Sequence, residues 1–418
     1  MKNNLNNGRR DFIKQTAIGV ASGFSLQGGG FFNETEKLVS KKEAFGFAAQ
    51  PVLANIGENQ IEIIVAPNDY ATAWVEYGEG KSLNLHANGS THGLMPTSNR
   101  VMRFTISDLE PGKLYSYRVQ LRRIVYHNKW KHDQIDEAAS ETQTFRTLDP
   151  NAATASFTCW NDTHENADTV VKLNALLKKQ SSDFLLWNGD VTNDIHQEEQ
   201  IVGQFLNPAG QAFATSTPLM INRGNHDVRG RDARYVRNYL SGPEEQDYYG
   251  FRQGPLACIV MDTGEDKPDN HSDYAGLTGF SQLRTRQADW LADLIEQPWF
   301  TSAPFKVAFL HIPLVWEAEV PERWPGVWGA GIQGWKCEDG YNKWHDLLVK
   351  SGIKLVISGH THHHAYFPPN KERPYGQLIG GGPQPDQATC ITGHADKKTL
   401  TINMTDLEGN NLKKLQFT

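Results

Sequence analysis

Ile353-Lys354-Leu355-Val356-Ile357-Ser358-Gly359-His360-Thr361-His362 decides the reading of this chain. A short apolar run bounded by turn residues is the pattern of a buried strand, and here it opens directly onto two histidines. Four other runs behave alike. Ala155-Ser156-Phe157-Thr158-Cys159-Trp160 leads to Asp162 and His164, and Asp183-Phe184-Leu185-Leu186-Trp187 leads to Asp190. Pro218-Leu219-Met220-Ile221 leads to Asn225 and His226, and Phe305-Lys306-Val307-Ala308-Phe309-Leu310 leads to His311. In α/β sheets the carboxyl ends of the strands face a common crevice where ligands bind. Five strands that each deliver Asp, Asn or His to that edge predict a metal site.

Spacing and chemistry narrow the prediction. On extended chain the i,i+2 pairs Asp162/His164 and His360/His362 each point to one face, about 6–7 Å apart. One member of each pair then serves each ion of a couple about 3.5–4 Å apart, or both grip the same ion. Carboxylate, amide oxygen and imidazole without thiolate suit zinc, manganese or iron rather than calcium, and do not choose among the three. Gly189, Gly224 and Gly359 each precede a candidate ligand, where a tight turn or a close backbone approach is expected.

Helix-length amphipathic segments at Ala167–Lys179, 282–295 and 341–349 alternate with these strands, which predicts an α/β domain from residue 150 to 418. Residues 50–149 instead read as short alternating strands, such as Thr72-Ala73-Trp74-Val75-Glu76-Tyr77 and Leu114-Tyr115-Ser116-Tyr117-Arg118-Val119, separated by turns. That pattern predicts an all-β antiparallel sandwich. Its Leu109-Glu110-Pro111-Gly112-Lys113-Leu114-Tyr115-Ser116-Tyr117 run resembles a fibronectin type III module, with residues 125–139 as an enlarged hairpin.

Taken in order, Asp162-Thr163-His164, Gly189-Asp190, Gly224-Asn225-His226-Asp227, His311 and Gly359-His360-Thr361-His362 resemble the signature of the calcineurin-like metallophosphoesterase family over about residues 153–390. The resemblance implies two packed β-sheets flanked by helices. It implies that Asp162, His164 and His362 bind one divalent ion, that Asn225, His311 and His360 bind a second, and that Asp190 bridges them. Hydroxide generated between the ions would attack phosphorus in line. His226 would face the substrate as acid or transition-state stabiliser, and Asp227 would orient it. A sandwich ahead of such a domain resembles purple acid phosphatases. That family has DxG at the first motif and an iron-binding tyrosine three residues after the bridging aspartate. Here those positions hold Asp162-Thr163-His164 and Asn193, so a purple ferric centre is not expected. The small-molecule substrate implied is a phosphate ester, monoester ahead of diester; a phosphodiesterase or a metal-retaining binding protein is the alternative.

The remaining signals are weaker. Net charge is −7, so no nucleic-acid surface is indicated. Cys159, Cys258, Cys337 and Cys390 lie far apart and read as buried free thiols. Arg9-Arg10 ahead of the mildly apolar stretch Thr16-Ala17-Ile18-Gly19-Val20-Ala21-Ser22-Gly23 resembles a twin-arginine export signal within residues 1–49. It predicts a periplasmic or extracellular protein. The stretch is too short to span a membrane. Residues 315–344 carry Trp316, Trp324, Trp328, Trp335 and Trp344, read either as a wall of the substrate pocket or as tryptophans folded onto the domain. His363 and His364 are weak candidates, and the 262–267 loop, which follows the apolar run Leu256–Met261, reads as a surface connection ahead of a substrate contact.

Overall fold

The computed structural model describes residues 44–90, 92–319 and 334–418. The leader with Arg9-Arg10, and Trp324 and Trp328, lie outside the described residues. Strands Thr154–Trp160, Phe184–Asn188 and Leu219–Asn222 pair in parallel. They form the middle of a nine-stranded sheet. Its order is Asn411–Phe417, Leu400–Thr405, Cys390–Asp396, Thr154–Trp160, Phe184–Asn188, Leu219–Asn222, Phe47–Ala54, Ile61–Pro67, Met102–Ile106. A second, six-stranded sheet runs Tyr249–Gln253, Leu256–Met261, Phe305–Leu310, Leu355–Ser358, Gly376–Ile379, Ala365–Phe367, and the middle four strands are parallel.

Alternation of side chains along these strands builds the layers. Phe157, Cys159, Phe184 and Leu186 meet Cys258, Val260, Val307, Phe309, Leu355 and Ile357 in one buried core between the sheets. Trp160, Leu185 and Trp187 point the other way, onto Leu173 and Leu177 of helix Ala167–Lys179. On the far face Ile259, Met261, Ala308 and Leu310 pack on Leu291 and Leu294 of helix Phe280–Leu294, and on Trp344 and Leu348 of helix Glu338–Ser351. The result is a helix–sheet–sheet–helix sandwich of mixed α/β type. The last helix begins earlier than its expected start at 341. Glu338 and Asp339 complement the positive end of the helix, and Gly340 fits where a Cβ would press on Cys337 and Trp344. All four cysteines are free and buried. Among the described residues no helix is long and apolar enough to cross a membrane.

The N-terminal strands do not close on themselves. Phe47–Ala54 joins Leu219–Asn222 in parallel through Ala54 and Leu219, and Asn55 N donates to Leu219 O at 3.1 Å. Ile61–Pro67 and Met102–Ile106 follow it, so three strands of the 50–149 region extend the sheet that carries the metal-type ligands. A third sheet, built on Ala71–Glu79 and the long hairpin Leu114–Asn128/Lys131–Ala139, faces that extension. Ala73, Val75, Tyr117, Val119 and Leu121 pack on Ile61, Ile63 and Val65, in the same continuous core that fills the space between the two larger sheets. Phe45–Thr418 is one compact unit. Residue 150 is therefore a change of strand pattern inside a shared core.

Candidate metal centre

Each of the five junctions singled out in the sequence lies at the carboxyl end of its strand. Asp162 and His164 follow Thr154–Trp160, Asp190 follows Phe184–Asn188, and Asn225 follows Leu219–Asn222. His311 follows Phe305–Leu310, and His360 and His362 follow Leu355–Ser358. Donor atoms of Asp162, His164, Asp190 and His362 all lie within 4.8 Å of one another, as do those of Asp190, His311 and His360. Asp190 belongs to both groups. Asn225 joins the second through its Oδ1, 2.9 Å from His360 Nδ1.

The i,i+2 pairs do not reach this arrangement on extended chain. Asp162, His164, Asp190, His360 and His362 all have positive φ, between 43° and 74°. This left-handed backbone is uncommon for residues other than glycine, although aspartate, asparagine and histidine adopt it more readily than most. It curls each junction so that partners from distant strands meet: His164 Nε2 stands 3.0 Å from His362 Nε2, and His362 Nε2 stands 3.7 Å from Asp162 Oδ1. Gly359 allows a close approach, because a Cβ there would overlap the Asp162 carboxylate.

Burial keeps two of the imidazoles in metal-binding form. Burial, with neighbouring imidazoles adding to it, pushes His360 down to about 4 and His362 down to about 3, leaving both rings neutral. Burial opposes charge on His311 as well, but Asp190 and Asp162 outweigh it and raise that ring to about 10. Asp190 is driven the other way: burial disfavours its charge, and His311 and His164 hold it well below the usual carboxylate range. His311 Nδ1 donates to Asn188 O at 2.9 Å, which turns Nε2 inward. That fully buried Nε2 lies 3.1 Å from Asp190 Oδ2 without a well-aligned hydrogen bond. An inward imidazole nitrogen, facing histidine nitrogens and shared carboxylates fit a pair of divalent ions, and thiolate is absent from the set.

Residues 155–364, half the chain, match the calcineurin-like phosphoesterase family. The chain belongs to this family. A protein of Schizosaccharomyces pombe described only as uncharacterised is 26% identical over 214 residues, which is 48% of this chain and 40% of that one. The chain thus spans less than half of that relative. The purple acid phosphatase PPD1 of yellow lupin (Lupinus luteus) shares the fold with a TM-score of 0.64 at 13% identity, over 88% of this chain and 73% of that chain. PhoD does so with a TM-score of 0.57 at 11% identity, over 88% and 94%.

Around the donors, this calcineurin-like domain carries a supporting shell that the motifs do not spell out. Asn193 lies three residues after Asp190. Its Oδ1 lies 3.1 Å from His164 Nδ1, and its carbonyl accepts from His226 Nδ1 at 2.8 Å, so one residue orients both rings. Asn161 Nδ2 donates to Asp162 Oδ2 at 2.8 Å and to Gly381 O at 3.1 Å. Asp227 corrects an expectation. Its carboxylate accepts from Val191 N, Thr192 N and Gly224 N at 2.9, 3.2 and 2.7 Å, binding the Asp190 loop to the Asn225 turn. It is held by backbone on both sides and leaves the imidazole of His226 to other partners. Burial, then the charge of Asp190, pushes Asp227 up to about 7.

Arg229 is a feature that the sequence motifs do not single out. Arg229 Nη1 donates to His226 Nε2 at 3.0 Å, and Glu265 and Asp266 grip the rest of its guanidinium at 2.7–3.2 Å. The 262–267 loop, read as a surface connection, therefore reaches into the site. A signal for Arg229 is its place directly after the Asn225 turn. A cavity of about 490 Å³ lies over the donors, lined by His164, Asp190, His226, Arg229, Trp335 and His362 among others. The described tryptophans divide between the two readings. Trp335 reaches the cavity but is almost wholly packed on Trp316 and beside His363. Trp344 is a core residue whose Nε1 donates to Arg284 O at 2.9 Å.

Proposed function

We propose that this chain hydrolyses phosphate esters outside the cytoplasm, with phosphomonoesters as its preferred class. The carrying observation is the sharing of Asp190 by two donor groups, the arrangement a two-ion site requires. Asp162, His164 and His362 would hold one divalent ion, and Asn225, His311 and His360 the other, with Asp190 between them. When bound, such ions lower the pKa of water held between them and neutralise phosphoryl charge.

The chain's own groups supply the rest. An oxygen from water forms the new P–O bond, the ester P–O bond breaks opposite it, and the departing alkoxide takes up a proton. His226 stands at the cavity as a neutral ring: Nδ1 donates to Asn193, Nε2 accepts from Arg229, and burial lowers its pKa, with Arg229 adding to the effect. A phosphoryl dianion beside it favours the imidazolium, and that form carries the proton the leaving group needs. The buried walls of the site, His311 and Asp162 above all, exclude bulk water from the reacting group. Export rests on Arg9-Arg10 and the short stretch after it; a folded, metal-loaded enzyme suits that route.

The test is hydrolysis of p-nitrophenyl phosphate and bis-p-nitrophenyl phosphate by protein loaded separately with manganese, zinc or iron. We expect metal-dependent turnover, faster on the monoester, with His226→Asn and Asp190→Asn each losing about 10²-fold or more. Turnover that survives Asp190→Asn, or a faster diester, contradicts this reading.

A further inference from the structure

We propose that Arg229 is a third cationic contact to the phosphoryl group, held ready by Glu265 and Asp266, and that it makes the site selective for phosphate dianions. The inference rests on the reading above and deepens it. Three observations carry it. First, Arg229 lines the same cavity as the donors, and its side chain is one-quarter exposed there. Second, its anchoring is nearly complete. Nε donates to Glu265 Oε1 at 3.0 Å, and Nη2 donates to Glu265 Oε2 at 2.7 Å and to Asp266 Oδ1 at 3.0 Å. Such a two-point grip fixes the plane of the guanidinium. Third, Nη1 is the end left toward the cavity. One of its N–H groups meets His226 Nε2, and the other has no partner among the described residues.

The anchors exist for a reason that stability alone does not supply. Glu265 and Asp266 are buried acids close to a metal-type site, and their side chains are 3% and 0% exposed. Lys267 Nζ adds a contact to Asp266 at 3.1 Å. Apolar residues of similar volume are often as stabilising as a buried charge cluster, whereas a fixed arginine in a water-poor cavity can bind an anion with little reorganisation. The chemistry of the ligand follows from the charge. A phosphomonoester presents a dianion with three terminal oxygens, of which two bound ions would leave at least one for an arginine. A diester carries one negative charge and a second organic group, so it has less to offer an extra cation.

Metal-loaded wild type, Arg229→Ala and Arg229→Lys are compared for kcat/KM on p-nitrophenyl phosphate and bis-p-nitrophenyl phosphate. Inorganic phosphate binding is followed by calorimetry, and guanidinium chloride at millimolar concentration is added for rescue. Arg229→Ala should lose about 10²–10³-fold on the monoester and less than about tenfold on the diester. Phosphate should bind at least about tenfold more weakly, and guanidinium should restore part of the monoester rate. Arg229→Lys keeps the charge without the two-point grip and should fall between. If Arg229→Ala does not fold, Arg229→Lys and Glu265→Gln must show the same bias toward monoester loss. Equal losses on both esters, unchanged phosphate affinity and no rescue overturn the inference while leaving the two-ion reading intact. Absence of turnover in the wild type counts against the reading itself, and the phosphate titration then still decides whether Arg229 binds the anion.

Discussion

Asp162, His164, Asp190, His360 and His362 each sit on left-handed backbone. Residues held there cost on the order of 1–3 kcal/mol apiece unless their surroundings enforce the conformation. The enforcement is visible: His360 N donates to both oxygens of Asp162 at 2.8 and 2.9 Å, and His226 N donates to Asp190 Oδ1 at 2.8 Å. Ligand carboxylates thus tie the backbone of a partner junction. Asn193 extends the same economy to the imidazoles. Replacing Asn193 with Ala frees His164 Nδ1 and unfastens the Asn193 loop from His164 O, so metal affinity should fall about 10–100-fold, as for other outer partners of ligating histidines. Calorimetric titration with zinc or manganese reads this directly, and an unchanged affinity would show that His164 needs no such support. The donors themselves were legible in sequence, because each lies directly after an apolar run. Arg229 was not, because its meaning depends on Glu265 and Asp266, which reach it only after an intervening strand and loop have folded. Asp227 was misread for the opposite reason: adjacency to His226 suggested contact, while the turn points its carboxylate back into the backbone.

At the scale of elements, one asparagine closes the two sheets over the site. Asn188, the last residue of strand Phe184–Asn188, sends Nδ2 across the core to Leu310 O at 3.2 Å and Ile357 O at 3.3 Å, both in the other sheet. Its Oδ1 accepts from Asn222 Nδ2 at 2.8 Å, and its carbonyl orients His311. All of these groups are buried, so removing one partner leaves others without hydrogen bonds. Asn188→Ala strands Leu310 O, Ile357 O and Asn222 Nδ2 and should cost about 3 kcal/mol or more in chemical denaturation, at about 1–3 kcal/mol for each stranded group. A loss near that of an ordinary surface substitution would mean that the sheets are registered without this clasp. The strands and the helices near 282–295 and 341–349 could be read from periodicity because that signal is local. The pairing of Ala54 with Leu219 could not, since both strands look complete in isolation and only their meeting shows that one sheet is shared.

For the whole molecule, the consequence of that shared sheet is mechanical. Arg103, on an N-terminal strand, donates from Nη1 to Arg237 O at 3.0 Å and from Nη2 to Ser241 Oγ at 2.8 Å, and Asn55 Nδ2 donates to Ser241 O at 2.9 Å. Tyr117 OH donates to Thr215 O at 2.8 Å. These contacts fasten the β-rich half to segments flanking the Asn225 turn, so the scaffold and the donor edge are one body. The central claim about that edge is that it holds two ions with Asp190 between them. The most direct test is anomalous diffraction at the manganese or zinc edge from crystals of the metal-loaded protein. The account predicts two peaks per chain on either side of the Asp190 carboxylate, one against Asp162, His164 and His362, the other against Asn225, His311 and His360. A single peak, or two peaks with Asp190 bound to only one of them, would contradict it.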